Sequence, residues 1–247
     1  MPKRLRLDAV LTEKGLFASR EQAQRAIMAG EIKVNDRIAM KSSLLVEPTV
    51  AIEVEAPPPY VSRGGLKLAG ALDHFRIEVC GKVALDIGAS TGGFTDCLLQ
   101  RGATKVFAID VGYGQIAWKL RNDPRVIVYE KLNARFLSQA DVPEPVHICV
   151  IDVSFISLTL ILPNAIDLVT ANGVILALIK PQFELQRADV ARGGIVRDPA
   201  LHEKATQKIV TFAERDARIS VEGLAPSAIR GTDGNQEFFI CLRKRLA

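Results

Sequence analysis

A chain of 247 residues, 48% hydrophobic and with a formal charge of +4, is long enough for one sizeable core or for a catalytic domain with a small module beside it. Its four cysteines, Cys80, Cys97, Cys149 and Cys241, are scattered among apolar neighbours without a CxxC pair, and its three histidines have no second ligand at metal spacing. Buried reduced thiols are therefore expected, and neither a disulfide framework nor a metal site.

The opening Met1-Pro2-Lys3-Arg4-Leu5-Arg6 passes directly into an amphipathic pattern, without the apolar core of a secretory signal. The most apolar stretch, 148–162, is interrupted by Asp152 and followed by Pro163, so it reads as a buried strand and the helix after it rather than a membrane span. A cytoplasmic protein is expected, a monomer by default. Residues 1–44 hold nine Lys/Arg against five Asp/Glu, an excess equal to that of the whole chain, so a polyanionic partner is expected at this end.

In chain order, residues 4–54 read as a unit of their own. Leu7, Val10, Leu11 and Leu16 have helical spacing, and Ser19 with Gln22 has the form of a capping box opening a second helix, with Ala23, Ile27 and Met28 facing its core. Gly30 stops that helix, and Ile32-Lys33-Val34-Asn35 alternates like a strand entering an Asn35-Asp36 turn. Arg20, Arg25, Lys33 and Arg37 then lie off the buried face. This pattern resembles the S4 RNA-binding domain, which implies phosphate contacts from Arg4, Arg6, Arg20, Arg25 and Lys33, joined by Arg63 further along.

Ala56-Pro57-Pro58-Pro59-Tyr60 is a stiff break, and residues 56–61 read as a linker between a domain at 1–55 and one at 62–247. The Pro-Pro-Tyr of amino-group methylases is excluded, because that motif follows an Asp or Asn at the end of a fourth strand and this one precedes the first. Beyond it, apolar runs at 83–87, 106–109, 126–129, 148–153, 173–179, 219–224 and 238–242 alternate with helical patterns. Seven strands with intervening helices predict an α/β domain of Rossmann-like type, its sheet covered on both faces.

The first of these strands ends in Asp86-Ile87-Gly88-Ala89-Ser90-Thr91-Gly92-Gly93-Phe94, a Gly-rich turn that opens a helix. Such a turn lets a ligand approach the backbone and presents free N–H groups. Asp110, followed by Val111, ends the second strand, where a carboxylate can bind both hydroxyls of a ribose. The spacing does not match the G-x-G-x-x-G of pyrophosphate-binding turns, and Asp86 facing the cleft would repel a pyrophosphate while holding a cationic amino-acid end. S-adenosylmethionine is the cofactor these residues predict.

Four further segments complete the site: Ser62-Arg63-Gly64-Gly65-Leu66-Lys67, Asp152-Val153-Ser154-Phe155, Lys180-Pro181-Gln182-Phe183-Glu184 and Gly234-Asn235-Gln236-Glu237. With the S4 unit ahead of them they resemble, over essentially the whole chain, the TlyA or haemolysin-A family with its FtsJ-type catalytic domain. The resemblance implies a catalytic tetrad at Lys67, Asp152, Lys180 and Glu237, and methylation of cytidine 2′-hydroxyls in ribosomal RNA or ribosomal subunits. A ribose hydroxyl needs one base and an ordered line of attack. Lys180 is expected to take the proton, Lys67 to be the second ammonium that helps it shed its own, and Asp152 and Glu237 to orient the pair. Three other readings are set aside. Membrane lysis lacks a signal, a span or a barrel pattern; an inert RNA-binding module conflicts with the intact tetrad; a pseudouridine synthase would have no cofactor turn.

Overall fold

A computed structural model describes residues 4–28, 30–54, 58–191, 193–231 and 233–246. Packing divides the chain into two compact units, Met1–Pro59 and Tyr60–Ala247.

In the first unit β1 (Leu5–Arg6) runs into α1 (Leu7–Glu13), followed by α2 (Arg20–Met28), β2 (Ile32–Val34), β3 (Arg37–Ile38), β4 (Leu45–Val46) and β5 (Ile52–Val54). β1 pairs with β4, and β2 lies between β3 and β5, all antiparallel. Ser19 Oγ accepts the Gln22 N–H at 3.3 Å at the start of α2. The β2–β3 hairpin turns on Asn35 and Asp36 at φ 48° and 62°, the left-handed pair that matches strand twist in a two-residue turn. Leu7, Val10, Leu11, Ala23 and Ile27 form the core. Leu16 and Met28, expected inside, are exposed. α1 stops at Glu13 and Gly15 reverses the chain at φ 70°, which puts Leu16 out of helical register, while Met28 is the last residue of its helix.

The second unit comprises α3 (Gly64–His74), β6 (Val83–Ile87), α4 (Gly93–Gln100), β7 (Lys105–Ile109), α5 (Trp118–Arg121), β8 (Val126–Tyr129), β9 (Val146–Ile151), α6 (Leu162–Leu168), β10 (Val169–Ile179), α7 (Pro181–Glu184), α8 (Pro199–Glu214), β11 (Ile219–Pro226) and β12 (Phe238–Lys244). They build one seven-stranded sheet in the order β8-β7-β6-β9-β10-β12-β11. β6 to β10 are parallel, and β12 is antiparallel to both of its neighbours. Alternate side chains leave opposite faces: Leu85, Phe107 and Cys149 enter one apolar layer with α6 and α8, Ala84, Val106 and Ile148 enter another with α3 and α4. Burial on both faces is why these strands read as unbroken apolar runs. β10 starts at Val169 rather than 173, because a register shift against β9 between Val169 and Val174 extends it backwards.

Of the residues read as a linker, Ala56 and Pro57 lie outside the described residues. Tyr60 and Val61 pack in the second unit: the Val61 N–H donates to Asp96 Oδ2 at 2.8 Å, and Tyr60 covers Gly65 so closely that a Cβ there would lie 2.2 Å from its ring.

Candidate active site

The parallel strands deliver their carboxyl ends to one edge, and the strand order reverses between β6 and β9, where a crevice forms in sheets of this kind. β6 ends there in the Gly-rich turn. Gly88 stands at φ 87°, and a Cβ on it would meet the Asp152 carbonyl oxygen at 2.4 Å, so the turn rests directly on the end of β9. The Ser90 N–H donates to Asp110 Oδ2 at 2.7 Å and the Gly112 N–H to Asp110 Oδ1 at 2.6 Å. Asp110 thus holds two backbone loops at once, and Ser90 is kept at φ 49° by the bond it makes. At Gly93, the first residue of α4, a Cβ would fall 2.2 Å from Ser62 Oγ and 2.9 Å from the Gly65 nitrogen, which lets the start of α3 close on the turn.

Two cavities adjoin along this edge. One, of about 420 Å³, is lined by Gly88, Ala89, Ser90, Thr91, Gly93 and Phe94 of the turn and by Arg63, Lys67, Asp152, Lys180 and Glu237. The other, of about 370 Å³, is lined by Gly88, Ser90, Asp110 and Val111 together with Gly112, Gln115 and 132–134. Gly88, Ser90, Asp152, Ser154 and Phe155 line both.

The four residues of the expected tetrad meet in the first cavity as two ion pairs. Lys67 Nζ donates to Glu237 Oε2 at 2.5 Å, both side chains nearly buried, and Gly231 leaves room beside them, since a Cβ there would lie 2.6 Å from Glu237 Oε1 and push it aside. Lys180 Nζ stands 2.5 Å from Asp152 Oδ1. That contact falls outside hydrogen-bond geometry, so it is a charge contact, and the directed bond from Lys180 goes to Ser154 Oγ at 3.0 Å. Each lysine has its own carboxylate.

A model of FtsJ-like methyltransferases matches residues 60–244, and one of S4 domains matches residues 5–52. The chain belongs to the FtsJ-like methyltransferase family. Among relatives of this FtsJ-like chain, YqxC of Bacillus subtilis is 46% identical over 97% of this chain and 86% of that protein. The 16S/23S rRNA (cytidine-2′-O)-methyltransferase TlyA of Mycobacterium tuberculosis is 44% identical over 98% of this chain and 91% of that protein. A solved structure from Streptococcus thermophilus that carries a haemolysin name is 41% identical, covers 99% of this chain and 90% of that one, and superposes with a TM-score of 0.75.

Within this FtsJ-like site two residues of the sequence-derived set lie behind the wall. Asp86 is fully buried and lines neither cavity, which corrects its placement facing the cleft. Its strand position points it into the layer of α3 and α4, where Oδ2 accepts from Thr95 Oγ1 at 2.6 Å and Oδ1 has no hydrogen-bond partner. Burial pushes this carboxyl up to about 7, against the opposing hydrogen bond from Thr95 and with a smaller contribution from the Asp152 charge. Gly92, the N-cap of α4 at φ 94°, has Leu120 where a Cβ would be, and its missing side chain serves packing rather than a ligand. The thiols are also not uniform: burial pushes those of Cys97, Cys149 and Cys241 upwards, while Cys80 is exposed.

In the S4 domain, Arg4 and Arg25 are exposed. Arg6 and Arg20 are half-exposed, and both donate to Asp8, whose side chain is wholly buried at the start of α1. Arg6 makes two bonds to it, at 3.1 and 2.8 Å, Arg20 reaches both oxygens at 3.1 Å, and Gln24 adds a third donor at 2.6 Å. The Arg6 guanidinium, helped by Gln24 and Arg20, holds the Asp8 carboxyl far below the usual carboxylate range against its burial. Lys33 is half-buried on β2. Arg63 donates to the Arg230 carbonyl at 3.0 Å at the edge of the first cavity.

Sequence reasoning did not single out Ser154, Gln182 or Arg230 in the first cavity, nor Gly112, Gln115 and Asn133 in the second. Ser154 and Gln182 stand within motifs that end strands, a signal that could have found them. Arg230 and Asn133 come from aperiodic loops that reach the cleft through tertiary packing alone. Among the described residues no helix is long and apolar enough to cross a membrane, and no cluster of His, Cys, Asp and Glu has a metal-holding arrangement.

Proposed function

We propose that this protein transfers a methyl group from S-adenosylmethionine to a ribose 2′-hydroxyl of ribosomal RNA, a cytidine as in the activity named for the mycobacterial relative. The observation that carries this reading is the meeting of Lys67–Glu237 and Lys180–Asp152 in one cavity whose wall is the Gly-rich turn. The residues fit the cofactor. Gly88 keeps the turn free of side chains where it rests on β9, and the two cavities share the end of β9, giving room for a methionine part on one side and a nucleoside on the other. Gly88, Ala89, Ser90, Thr91, Gly93 and Phe94 would line the methionine side and Asp110 and Val111 the ribose and base. Asp110 already accepts one N–H on each oxygen, and a carboxylate retains lone pairs for two ribose hydroxyls. When bound, the cofactor supplies a methyl group already activated by its sulfonium.

The chain's own task is then to position the hydroxyl and receive its proton. Lys180 Nζ is the acceptor once it has released its own ammonium proton to solvent and is a neutral amine, and the Asp152 carboxylate on one side and Ser154 Oγ on another hold it so that its approach to the hydroxyl is fixed before substrate arrives. The Lys67–Glu237 pair closes a further wall, built from α3 and the entry to β12. Arg63 at the cavity edge and Arg4, Arg6, Arg20, Arg25 and Lys33 of the S4 domain would contact phosphates, each in a cellular compartment that holds ribosomal RNA, the cytoplasm.

Incubation with ribosomal subunits, free ribosomal RNA and methyl-labelled cofactor tests this, followed by nucleoside mass spectrometry. Labelled 2′-O-methylcytidine is expected. Label on a base, or no transfer to either substrate, overturns the reading.

A further inference from the structure

One buried acid outside the cleft is held by as full a set of partners as the two acids of the ion pairs within it. Glu184, the last residue of α7, is 5% exposed and lines neither cavity. Its Oε1 accepts the Leu158 N–H at 2.7 Å, and its Oε2 accepts from Ser157 Oγ at 2.6 Å and Lys208 Nζ at 2.8 Å. Lys208, on α8, also donates to the Glu184 carbonyl at 2.8 Å and to Ser157 Oγ at 3.2 Å.

Ser157 and Leu158 belong to the segment that leaves β9 behind Asp152. That segment is the wall the two cavities share, and it is fastened at two points: Ser154 to Lys180, and Ser157–Leu158 to Glu184. Between the fastenings Phe155 stands at φ 63°, a left-handed conformation that a phenylalanine keeps only where its surroundings impose it. Its ring lies 5.0 Å from that of Phe183 in α7. α7 itself begins at Lys180, its N-cap, and ends at Glu184. One short helix therefore carries the lysine of the cleft at its start and the acid that grips the opposing loop at its end.

We infer that Glu184 is a positioning residue: by tying the loop after β9 to the end of α7, it fixes Asp152 and Ser154 against Lys180 Nζ. This inference rests on the reading of Lys180 as the proton acceptor. Lys208 supplies the opposite charge that meets this buried side chain, at 2.8 Å from Oε2.

The test uses full-length Glu184→Gln and Lys208→Met. The glutamine keeps the size of the side chain and can still accept from Leu158, but it gives up the ion pair to Lys208. Single-turnover methylation of ribosomal subunits is measured at saturating cofactor and RNA across pH, together with the thermal unfolding midpoint. For Glu184→Gln the expected result is a rate lower by about 10- to 100-fold, as for a displacement of reacting groups by roughly an ångström, with a shifted midpoint of the pH–rate profile and, from a separate binding titration, an RNA dissociation constant within a few-fold of wild type. Lys208→Met should move the same readouts in the same direction.

A folded Glu184→Gln protein with wild-type rate and profile overturns the inference. So does a rate loss that only tracks the lost thermal stability while the pH profile stays in place. If Glu184→Gln does not fold, Lys208→Met decides by the same readouts. Failure of the underlying reading looks different: wild-type protein then transfers no methyl group, or Lys180→Ala retains full activity.

Discussion

The two units solve one electrostatic problem in opposite ways. In the S4 domain the acid is inside and the cations outside: Asp8 is wholly buried, whereas Arg6 and Arg20 keep about half of their surface in solvent. In the catalytic cleft the cations are as enclosed as the acids, with side-chain exposures of 10% for Lys67 and 11% for Lys180. The chemical identity of the cation differs accordingly. Arginine is charged at any working pH and offers a rigid fork, so the Asp8 cluster is a permanent charge arrangement that orders α1 and α2. Lysine can lose its proton, and an enclosed lysine with an oriented carboxylate can be asked to exchange one. On the proposed reading, a fixed scaffold and a proton-handling site use similar ion pairs and differ in which basic residue they employ.

The comparison breaks most visibly if the lysine of the cleft is made into the arginine of the scaffold. Lys180→Arg preserves charge and removes proton exchange, so single-turnover methylation should fall by about 10²–10⁴-fold, nearly as far as in Lys180→Ala, with cofactor and RNA affinities within a few-fold of wild type. An arginine variant that keeps most of its rate would make Lys180 a charged positioning group and take away its role as base.

The reverse intervention is Asp8→Asn in the scaffold. It leaves Arg6 and Arg20 without their carboxylate and places an amide donor against guanidinium donors, at a cost of about 2–3 kcal/mol once the solvent exposure of the arginines is discounted. Hydrogen exchange at the α1 amides should accelerate accordingly, while binding of S-adenosylmethionine to the second unit stays unchanged. Because the Asp8 carboxyl is held low in the folded chain, its contribution is present above the unfolded value near 4 and is lost as pH falls below it. The variant should therefore show a flatter acid limb. Protection of α1 that is equal in both proteins would mean the cluster has no structural role.

Much of this contrast was legible in the sequence. The Gly-rich turn, Asp110, Asp152 and Lys180 stand at strand ends, and strand ends in a parallel sheet converge whatever the loops do, whereas Lys67 on α3 and Glu237 at the entry to β12 were legible through the family resemblance. Period and turn chemistry also gave the S4 hairpin at Asn35-Asp36. Asp8 was not legible, since one acid among five in a basic segment shows its burial only through the approach of Arg6, Arg20 and Gln24 in space. Nor was Asp86 as a wall residue: strand periodicity leaves two faces open to it, and only the packing of α3 and α4 decides that its face is covered.

Asp110 sharpens the cleft side of the comparison. Its removal takes away the expected bonds to the cofactor ribose and also frees Ser90 and Gly112. Asp110→Ala should weaken S-adenosylmethionine binding by about 10- to 100-fold, with RNA affinity nearly unchanged. Calorimetric titration measures both. An unchanged cofactor dissociation constant would show that the second cavity does not hold the nucleoside.

The smallest effect belongs to Asp86, which is neither scaffold charge nor proton exchanger but a buried acid whose hydrogen-bond partner is Thr95. Burial raises its carboxyl to about 7 from an unfolded value near 4, so between those values the folded chain binds more protons than the unfolded one. Stability of the second unit is therefore greatest below about pH 4 from this group's side, declines as pH rises through about 7 and levels off above it. Asp86→Asn removes the titration while Asn can still accept from Thr95, so the loss of stability between pH 5 and pH 8 should shrink by on the order of 1–2 kcal/mol, read from denaturant unfolding at each pH. A pH dependence identical in both proteins would mean that Asp86 stays ionised in its buried position and that a charge, not a proton, sits behind the turn.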